Sequence, residues 1–561
     1  MIAPRKTYDT LWVLGLFVLS IAFQVYCAFF GFDASDEGYL LTFYQHFGDA
    51  PQDYAFGMQY ALTCYAGWVL NSLTPGILPL RLWGIGVVML MEVAVFLLLR
   101  HRVDNRYLAL GILIQTFIAA NDPKPFGYNT LSALLAIAAI IGLYEGLHRR
   151  NGLYLMMGGC IAGFSFWFRL PNLALIALLI LPVLHRYEEG SYYPTRRMAL
   201  DTIAVLGGYI LGMGCGWLIL GQIGAQDAFL RVFTATASSA GEKGGTHPLG
   251  YMLGRYAGNY ALATLSYAGL IGAAWLAERI QRKSTVLYWL FNGLLLALAI
   301  TFYVFLTDRL GNNILFLLNG IALFGTALLA WRRQVSPTLC AAAILMLLVL
   351  PLGSDGGFCT MQTATWLALP LGIYGTLQLS YRRWLSGAMI ALAVLMCAKT
   401  DLNCYYDPGL RLEKTATIHS PFSRGIHTIP YRAEVMNPLL DVLPKYVKPG
   451  ETLMAYDWCP IMNYLTDTKP FYGNPWPTAE GYGLIATFDR ADREGTTPPT
   501  IVLQHFYSHG LWSGITPDIT DPEASGWRHR PAVTKRFLLY LHDHHYRKVW
   551  TNGYFDILQA N

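Results

Sequence analysis

Apolar runs recur along the first 399 residues, and this recurrence constrains the fold more than any other feature. A bilayer core is about 30 Å thick, which a helix of roughly 20 apolar residues can cross. Thirteen such runs lie at about 11–30, 80–99, 107–121, 129–147, 152–168, 171–185, 199–221, 257–277, 285–306, 312–331, 336–352, 363–380 and 384–399. The pattern predicts a polytopic α-helical membrane protein with about 13 transmembrane helices, and it excludes a soluble, fibrous or disulfide-stapled fold.

Charge density divides the chain near residue 400. The first 399 residues carry 43 Asp, Glu, Lys and Arg, whereas the last 162 carry 32. We therefore predict a transmembrane catalytic domain over 1–399 and a small water-exposed domain over 400–561. Strand-like and helical runs alternate in the second part, which predicts an α/β fold. The strands are expected at 451–457, 500–504 and 554–558, and the helices at 438–446, 460–465 and 534–544.

Small clusters of Lys and Arg set the predicted topology. Cationic side chains accumulate in short cytoplasmic loops, and thirteen spans place all of these clusters on one side. They are Arg5-Lys6, Arg100/Arg102/Arg106, Arg149-Arg150, Arg186 with Arg196-Arg197, Arg279/Arg282/Lys283, Arg332-Arg333 and Arg382-Arg383. The N-terminus is then cytoplasmic and the C-terminal domain extracytoplasmic. A net charge of +5 divided among such clusters is not typical of a nucleic-acid-binding protein.

One apolar segment is predicted not to span. Met58–Leu73 is apolar enough to cross, but counting it would invert every later cluster. Its Trp68 and Tyr side chains suit the headgroup region, so we expect an interfacial helix on the outer side. Further along, Arg169-Leu170-Pro171 joins two short runs, and the proline predicts a helix break on that side.

The outer loops collect acids and a few cations. In the first of them, Ser35 or Asp36 is expected to cap a helix, with Glu37 favouring its dipole. A capping role for Asp36 and a functional role are equally compatible with the pattern, because juxtamembrane acids are functional only where they face a cavity.

Three further outer segments carry candidates for binding. Pro residues would hold Asp122 and Lys124 on a short turn, as an acid and a phosphate contact or as an ordinary interfacial turn. Arg169 lies at the helix break, where it either meets substrate or satisfies free carbonyls. Ser354 and Asp355 lie in a glycine-rich loop that could cradle an anion or serve as a tight turn.

Cysteine and histidine spacing give no metal or redox motif. The nine cysteines include no C-x-x-C pair, and Cys359, Cys404 and Cys459 are predicted to be outside, where a disulfide of unknown pairing can form. The run His542-Asp543-His544-His545 places adjacent side chains on different faces, which favours a surface cluster over a metal site.

Several of these features together resemble the GT-C superfamily of membrane glycosyltransferases. The first loop has Asp36, Glu37 and an aromatic residue, Tyr39, before a helix. An interfacial helix precedes the second span, which opens with Arg81-Leu82, and Arg169-Leu170-Pro171 breaks two short spans. About 13 spans and an outer C-terminal domain complete the likeness. Each motif is short, and the resemblance covers the whole architecture.

The resemblance implies inverting transfer of a sugar from a polyprenyl-phosphate carrier. It assigns the general base to Asp36, with Glu37 in support, and it places the acceptor hydroxyl at the outer face. Lys124, Arg169 and Arg255 are the cations expected to neutralise the leaving phosphate. Asp33, Asp122, Ser354 and Asp355 complete the expected substrate-binding set. A loop over 222–256 is expected to be mobile, and relatives differ in whether a divalent cation assists.

The expected partners are the lipid-linked donor, a glycan, lipid or protein acceptor, and membrane lipids, in a bacterial inner membrane. Two other functions are compatible with many apolar spans. A transporter or flippase for lipid-linked saccharide would place charges at the bilayer midplane, where Glu92 is the clearest example. A polysaccharide polymerase or ligase of another fold would not require Asp36.

Overall fold

The structure is a computed structural model of the 561-residue chain. It describes residues 7–120, 126–239, 249–305, 313–354, 364–402, 404, 407–480, 483–505, 507–508, 511–512 and 531–561. The helices of the first part are α1 Thr7–Ala28, α2 Asp36–His46, α3 Ala61–Leu73, α4 Ile77–Leu99, α5 Asn105–Ala120, α6 Tyr128–His148, α7 Gly152–Phe164, α8 Leu181–Glu189, α9 Thr195–Gln222, α10 Gln226–Ser239, α11 Leu249–Gln281, α12 Thr285–Ile300, α13 Asn313–Gly320, α14 Thr326–Trp331, α15 Pro337–Val349, α16 Ala368–Thr376 and α17 Arg382–Leu402.

Nine helices in the described residues are long and apolar enough to cross a membrane. They cover 11–28, 77–99, 128–148, 170–192, 195–222, 250–281, 285–303, 314–331 and 382–402. Three shorter apolar helices, at 105–120, 152–167 and 337–349, coincide with further predicted spans. The multi-pass helical architecture is thereby confirmed, while the count of thirteen stays a prediction.

The predicted break at Arg169-Leu170-Pro171 is present. A 3-10 turn over Ser165–Trp167 ends the helix before it, and Arg169 has extended backbone torsions. The chain resumes as a 3-10 segment, Leu170–Ile180, with Pro171 at its start, where a missing N–H costs nothing. The side chain of Asn172 donates to Ser132 Oγ at 2.7 Å and to the Ser165 carbonyl at 3.0 Å, which ties the break to α6.

Helices α7 and α9 meet along a glycine seam, which comprises Gly159 and Gly163 on α7 and Gly208 and Gly212 on α9. A Cβ atom at any of the four would lie 2.0–2.2 Å from a backbone carbonyl oxygen of the other helix. Glycines four residues apart on both helices allow this backbone contact, as small residues do in membrane helix pairs.

The segment Met58–Leu73 forms a 3-10 turn, Ala55–Tyr60, followed by α3. With 13 residues, α3 is not among the described helices that could cross a membrane. It packs on α2, where Gly67 makes room for the Tyr44 ring. A second outer helix, α10, lies within the loop that was predicted to be mobile; residues 240–248 of that loop lie outside the described ones.

The C-terminal part contains a small mixed sheet. Its helices are α18 Pro430–Val442, α19 Ile461–Thr466, α20 Gly483–Glu494 and α21 Pro531–Asp543. Its strands are β1 Ala416–Thr417, β2 His427–Thr428, β3 Thr452–Tyr456, β4 Lys469–Pro470, β5 Thr500–Gln504, β6 Tyr507–Ser508, β7 Leu511–Trp512, β8 Arg547–Thr551 and β9 Phe555–Gln559. The five-stranded sheet has the order β4-β3-β5-β9-β8, with β3 parallel to β4 and β5 and the other pairs antiparallel.

This part packs directly on the first outer loop. A single hydrophobic cluster contains Phe32, Leu41 and Phe43 together with Met436, Ile461 and Phe555. At Gly38 of α2, a Cβ atom would lie 2.5 Å from the backbone nitrogen of Ile461, and that nitrogen donates to the Ala34 carbonyl at 3.1 Å. The two predicted domains therefore share a core, and the predicted boundary at residue 400 falls within α17.

A buried ionic cluster completes this contact. Asp407 Oδ2 accepts hydrogen bonds from the Phe32 N–H and the Thr428 hydroxyl, both at 2.9 Å. Lys414 Nζ lies 3.6 Å and Arg432 Nε 3.7 Å from Asp407 Oδ1, and Arg432 also donates to the Phe32 carbonyl. Because breaking a buried pair leaves an uncompensated charge, this cluster holds the start of the first loop, at Phe32, firmly against the C-terminal part.

The glycine seam gives a direct test of the helix packing. We expect Gly208→Ala to lower stability by about 1–3 kcal/mol, because the new methyl group would meet the Met156 carbonyl oxygen at 2.0 Å. Gly207→Ala is the matched control, since nothing lies within 4 Å of its Cβ position on the same helix. Thermal unfolding of the two variants in detergent compares them, and equal melting temperatures would contradict the packing described.

Candidate functional site

Asp33 caps the helix that carries the acidic motif. Its Oδ1 accepts from the Ser35 N–H at 2.8 Å and from the Ser35 hydroxyl at 2.6 Å, and its Oδ2 accepts from the Glu37 N–H at 2.9 Å. Ser35 is the N-cap by backbone position, but its side chain makes no capping bond. The helix begins at Asp36 with Ser35 at the N-cap position, but it is Asp33, a carboxylate three residues before the helix, that accepts the bonds of these donors.

Glu37 is held by Arg81 at the start of α4. Arg81 Nε donates to Glu37 Oε1 at 2.7 Å, and Arg81 Nη2 donates to Glu37 Oε2 at 2.6 Å. The same guanidinium donates to the carbonyls of Ala28 at 2.8 Å and Gly31 at 2.9 Å. Both side chains are at most 2% exposed. Glu37 thus has both oxygens on a buried partner, which suits a positioning role.

Asp36 differs from both of its acidic neighbours because it is partly exposed. It lies in the first turn of α2, where the helix N-terminus stabilises negative charge. Its charge also acts on Asp33: burial, followed by the nearby Asp36 carboxylate, raises the pKa of Asp33 to about 7. Of the three acids in the motif, Asp36 is the one that a substrate can reach.

Arg169 lies at the helix break and is 4% exposed. Its Nη1 donates to the Leu350 carbonyl at 2.7 Å and its Nη2 to the Leu352 carbonyl at 3.0 Å, at the end of α15. Within the described chain it has no carboxylate partner. A buried guanidinium bound only to neutral oxygens keeps its full positive charge, and burial lowers its pKa from the usual value.

The turn after α15 packs on the same break. Gly353 has a φ of +86°, and a Cβ there would lie 2.4 Å from Pro171 Cγ. The Ser354 N–H donates to the Pro351 carbonyl at 3.1 Å, and the Tyr256 hydroxyl donates to the same oxygen. The structure therefore places the turn that contains Ser354 next to the break at Arg169. A tight turn is one of the two possibilities that the sequence left open for this loop.

Two stacked tyrosines lie within electrostatic reach of Arg169. The rings of Tyr60 and Tyr128 have centroids 4.3 Å apart and are nearly parallel. Burial raises the pKa of the Tyr60 hydroxyl; the Arg169 charge opposes this effect and the Asp36 charge adds to it. Because both charges act on one hydroxyl, Asp36 and Arg169 face a common region.

The remaining predicted residues stand apart from this region or outside the described residues. Arg255 is exposed on α11, next to Tyr256, and it makes no ion pair with the residues described. Asp122, Lys124 and Asp355 lie outside the described residues. Among those that are described, no group of three or more His, Cys, Asp or Glu side chains could hold a metal ion. Cys404 and Cys459 are free thiols, and Cys359 is outside the described part.

Sequence reasoning missed the partners that fix the motif. Arg81 was noted only as part of a sequence likeness, and Asp407, Lys414 and Arg432 were not singled out. Asp407, Lys414 and Arg432 belong to a stretch with many charged residues that follows the last apolar run, and that stretch was the sequence signal for these three. Tyr60 was considered only as part of the interfacial segment Met58–Leu73, and Tyr128 was not singled out, whereas the two rings stack on each other.

The Arg81–Glu37 pair can be tested by removing one partner and then both. Arg81→Met should cost about 3–5 kcal/mol, because it leaves the Glu37 carboxylate buried without a partner. Arg81→Met combined with Glu37→Leu should recover part of that loss. Thermal unfolding in detergent measures both; a double variant no more stable than the single one would contradict this account.

The pKa of Asp33 predicts a pH dependence of stability. Because the folded-state pKa is about 7 and the unfolded value is about 3.9, the contribution of Asp33 is fully present below about pH 4 and is lost as pH rises through about 7. We expect Asp33→Asn to flatten the fall in melting temperature between about pH 5 and about pH 8. Glu434→Gln, at an exposed position with no ion pair among the described residues, serves as the control. An unchanged slope in Asp33→Asn would refute the prediction.

The comparisons with known proteins give one structural similarity. No family model matches the chain, and no curated protein matches it. Among solved structures, the chain is similar to the crystal structure of the oligosaccharyltransferase of Archaeoglobus fulgidus in the apo form. The TM-score is 0.47 and the sequence identity 12%, over 89% of this chain and 70% of that one. Values this low do not establish a shared activity.

Proposed function

We propose that the protein is an integral membrane glycosyltransferase. It moves a sugar from a polyprenyl-phosphate-linked donor to an acceptor hydroxyl, with inversion at the anomeric carbon. The observation that carries this proposal is the difference in exposure among the three acids of the first outer loop. Asp33 and Glu37 are buried and accept hydrogen bonds at both carboxylate oxygens, while Asp36 between them is accessible. The similarity to a solved oligosaccharyltransferase is compatible with such an activity.

In the proposed reaction, Asp36 is the general base. The acceptor hydroxyl attacks the anomeric carbon, its proton passes to the Asp36 carboxylate, and the bond to the lipid phosphate oxygen breaks with its electron pair on that oxygen. Asp33 holds the first turn of α2 and Glu37 anchors it to α4, so both act on Asp36 by positioning it.

Arg169 is the proposed contact for the leaving phosphate. Its charge has no carboxylate partner among the described residues, and it acts together with the Asp36 charge on the Tyr60 hydroxyl. A phosphate that becomes an anion gains most from a cation already fixed in a water-poor site. The bonds to the Leu350 and Leu352 carbonyls hold the guanidinium in place without neutralising it.

A flippase or transporter has weaker support. Its expected midspan charge, Glu92, is buried and accepts hydrogen bonds at Oε1 from Ser20 at 2.6 Å, Thr116 at 2.7 Å and Gln24 at 3.1 Å. These donors come from α1 and α5, so Glu92 links three packed helices. That contact suits helix association better than a transport path.

Asp36→Asn tests the proposal, because the amide cannot take the proton. We expect turnover to fall by about 10²–10⁴-fold, with donor binding and melting temperature kept. The probes are short-chain polyprenyl-phosphate hexose and pentose in detergent, with lipid-extract and peptide acceptors, and the readout is release of polyprenyl phosphate.

Asp441→Asn is the control, since this acid is exposed and pairs with His419 and not with a residue of the motif. Detergent leaves no bilayer across which a lipid could be flipped. Absence of bond cleavage by the unmodified protein with every donor and acceptor would favour the flippase, and full activity of Asp36→Asn would overturn the assigned base.

A further inference from the structure

Two turns lie next to each other at one end of the helical part, and Asp36 lies at the other end. Helix α6 starts at Tyr128 in the candidate site and ends at His148, and residues 149–151 join it to α7. Residues 190–194 join α8 to α9. Two helices that could cross a membrane, over 170–192 and 195–222, meet at this second turn, which therefore lies at a membrane surface.

Three arginines converge on these turns, and we call them the arginine cluster: Arg150, Arg186 and Arg197. Arg150 Nη2 donates to the Tyr192 carbonyl at 3.0 Å, and Arg186 Nη1 donates to the Tyr193 carbonyl at 2.9 Å. Arg197 Nη2 donates to the Arg150 carbonyl at 2.6 Å. The acceptors of all three bonds are neutral carbonyl oxygens, so these bonds bring the guanidinium groups together without compensating their charge.

The nearby acids compensate this charge only in part. Asp201 is buried and is shared by Arg197 Nε at 2.9 Å and the Tyr193 hydroxyl at 2.6 Å. Glu188 Oε2 accepts from the hydroxyls of Ser336 at 2.8 Å and Thr338 at 2.6 Å, at the start of α15. Glu189 is the other acid of the turn, and the exposed Arg196 offsets it. The arginine cluster thus keeps a net positive charge.

The surroundings suit a lipid headgroup. Tyr187 and Tyr192 are 78% and 77% exposed, and tyrosine is enriched at the level of the headgroups. Exposed apolar side chains of α9, Leu200 and Ile203, continue from the turn along the helix. A phosphate at the arginines would therefore have its acyl chains beside an apolar helix face.

Arg150 has an unusual backbone for its residue type. Its φ is +54°, directly after α6, where the Asn151 N–H closes the helix on the Gly146 carbonyl. Glycine is favoured at this position, because a Cβ atom is strained there. The positive φ of Arg150 therefore lowers the stability of the folded state, and interactions of its side chain would have to offset that loss.

We propose that the arginine cluster binds the phosphate of an anionic glycerophospholipid in the leaflet on the cation-rich side. Arginine forks match phosphate oxygens, and basic pockets between membrane helices bind anionic headgroups. The site is on the opposite membrane surface from Asp36 and does not depend on the proposed glycosyl transfer.

Substitution at Arg150 separates this role from folding. In Arg150→Gly the backbone strain is relieved while the guanidinium is lost, so the protein should stay folded and bind the lipid about fivefold more weakly. The double variant Arg150→Gly with Arg186→Gln should lose about 25-fold. The measurement is the rise in melting temperature of the full chain in detergent as dioleoyl-phosphatidylglycerol is titrated.

Arg333→Gly is the matched control. Arg333 is also exposed, also follows a helix with a positive φ, +50°, and is also predicted to be on the cation-rich side, but among the described residues no other arginine side chain donates to its backbone. Its variant should bind as the unmodified protein does. Equal losses in Arg150→Gly and Arg333→Gly would overturn the site in favour of general surface charge. Equal binding of dioleoyl-phosphatidylcholine, or competition by inorganic phosphate at the lipid's own concentration, would overturn the anionic-lipid assignment.

Discussion

The buried pair of Arg81 and Glu37 is the interaction on which the arrangement of the first loop depends. One guanidinium binds both carboxylate oxygens and two carbonyls at the end of α1, so it joins the end of α1 to the start of α2 and of α4. Such a group is stable only when every donor has its acceptor. Because Arg81 holds the loop in this way, Asp36, which directly precedes Glu37, has a defined position at the surface.

The C-terminal part contributes directly to the structure around the acidic motif. Asp407 and Arg432 bind the backbone on both sides of Phe32, and α19 lies against Gly38 where a side chain would not fit. Charge density predicted a separate water-exposed domain, whereas a shared hydrophobic cluster packs this part on the loop that carries the acidic motif. Truncation near residue 400 would therefore remove contacts of the acidic motif itself.

The sequence predicted well what depends on local pattern. Apolar runs became helices, the proline at 171 broke one, and β5 occupies the predicted residues 500–504. It predicted poorly what depends on distant partners. Asp33, Ser35 and Asp36 are all capping residue types within four positions, and only the fold selects Asp33. Glu37 finds Arg81 44 residues away, and Arg169 finds Leu350 181 residues away. No periodicity encodes such pairs.

The glycine seam between α7 and α9 has a consequence for how the protein can move. Backbones in direct contact cannot slide or rotate without steric overlap, so the two helices form one stiff unit that leads directly into Arg169. Helix α12, by contrast, has no buried residue. Helix motion in this part of the fold is therefore easier at α12 than at the glycine seam, so the segment that leads into Arg169 is a fixed point against which α12 can shift.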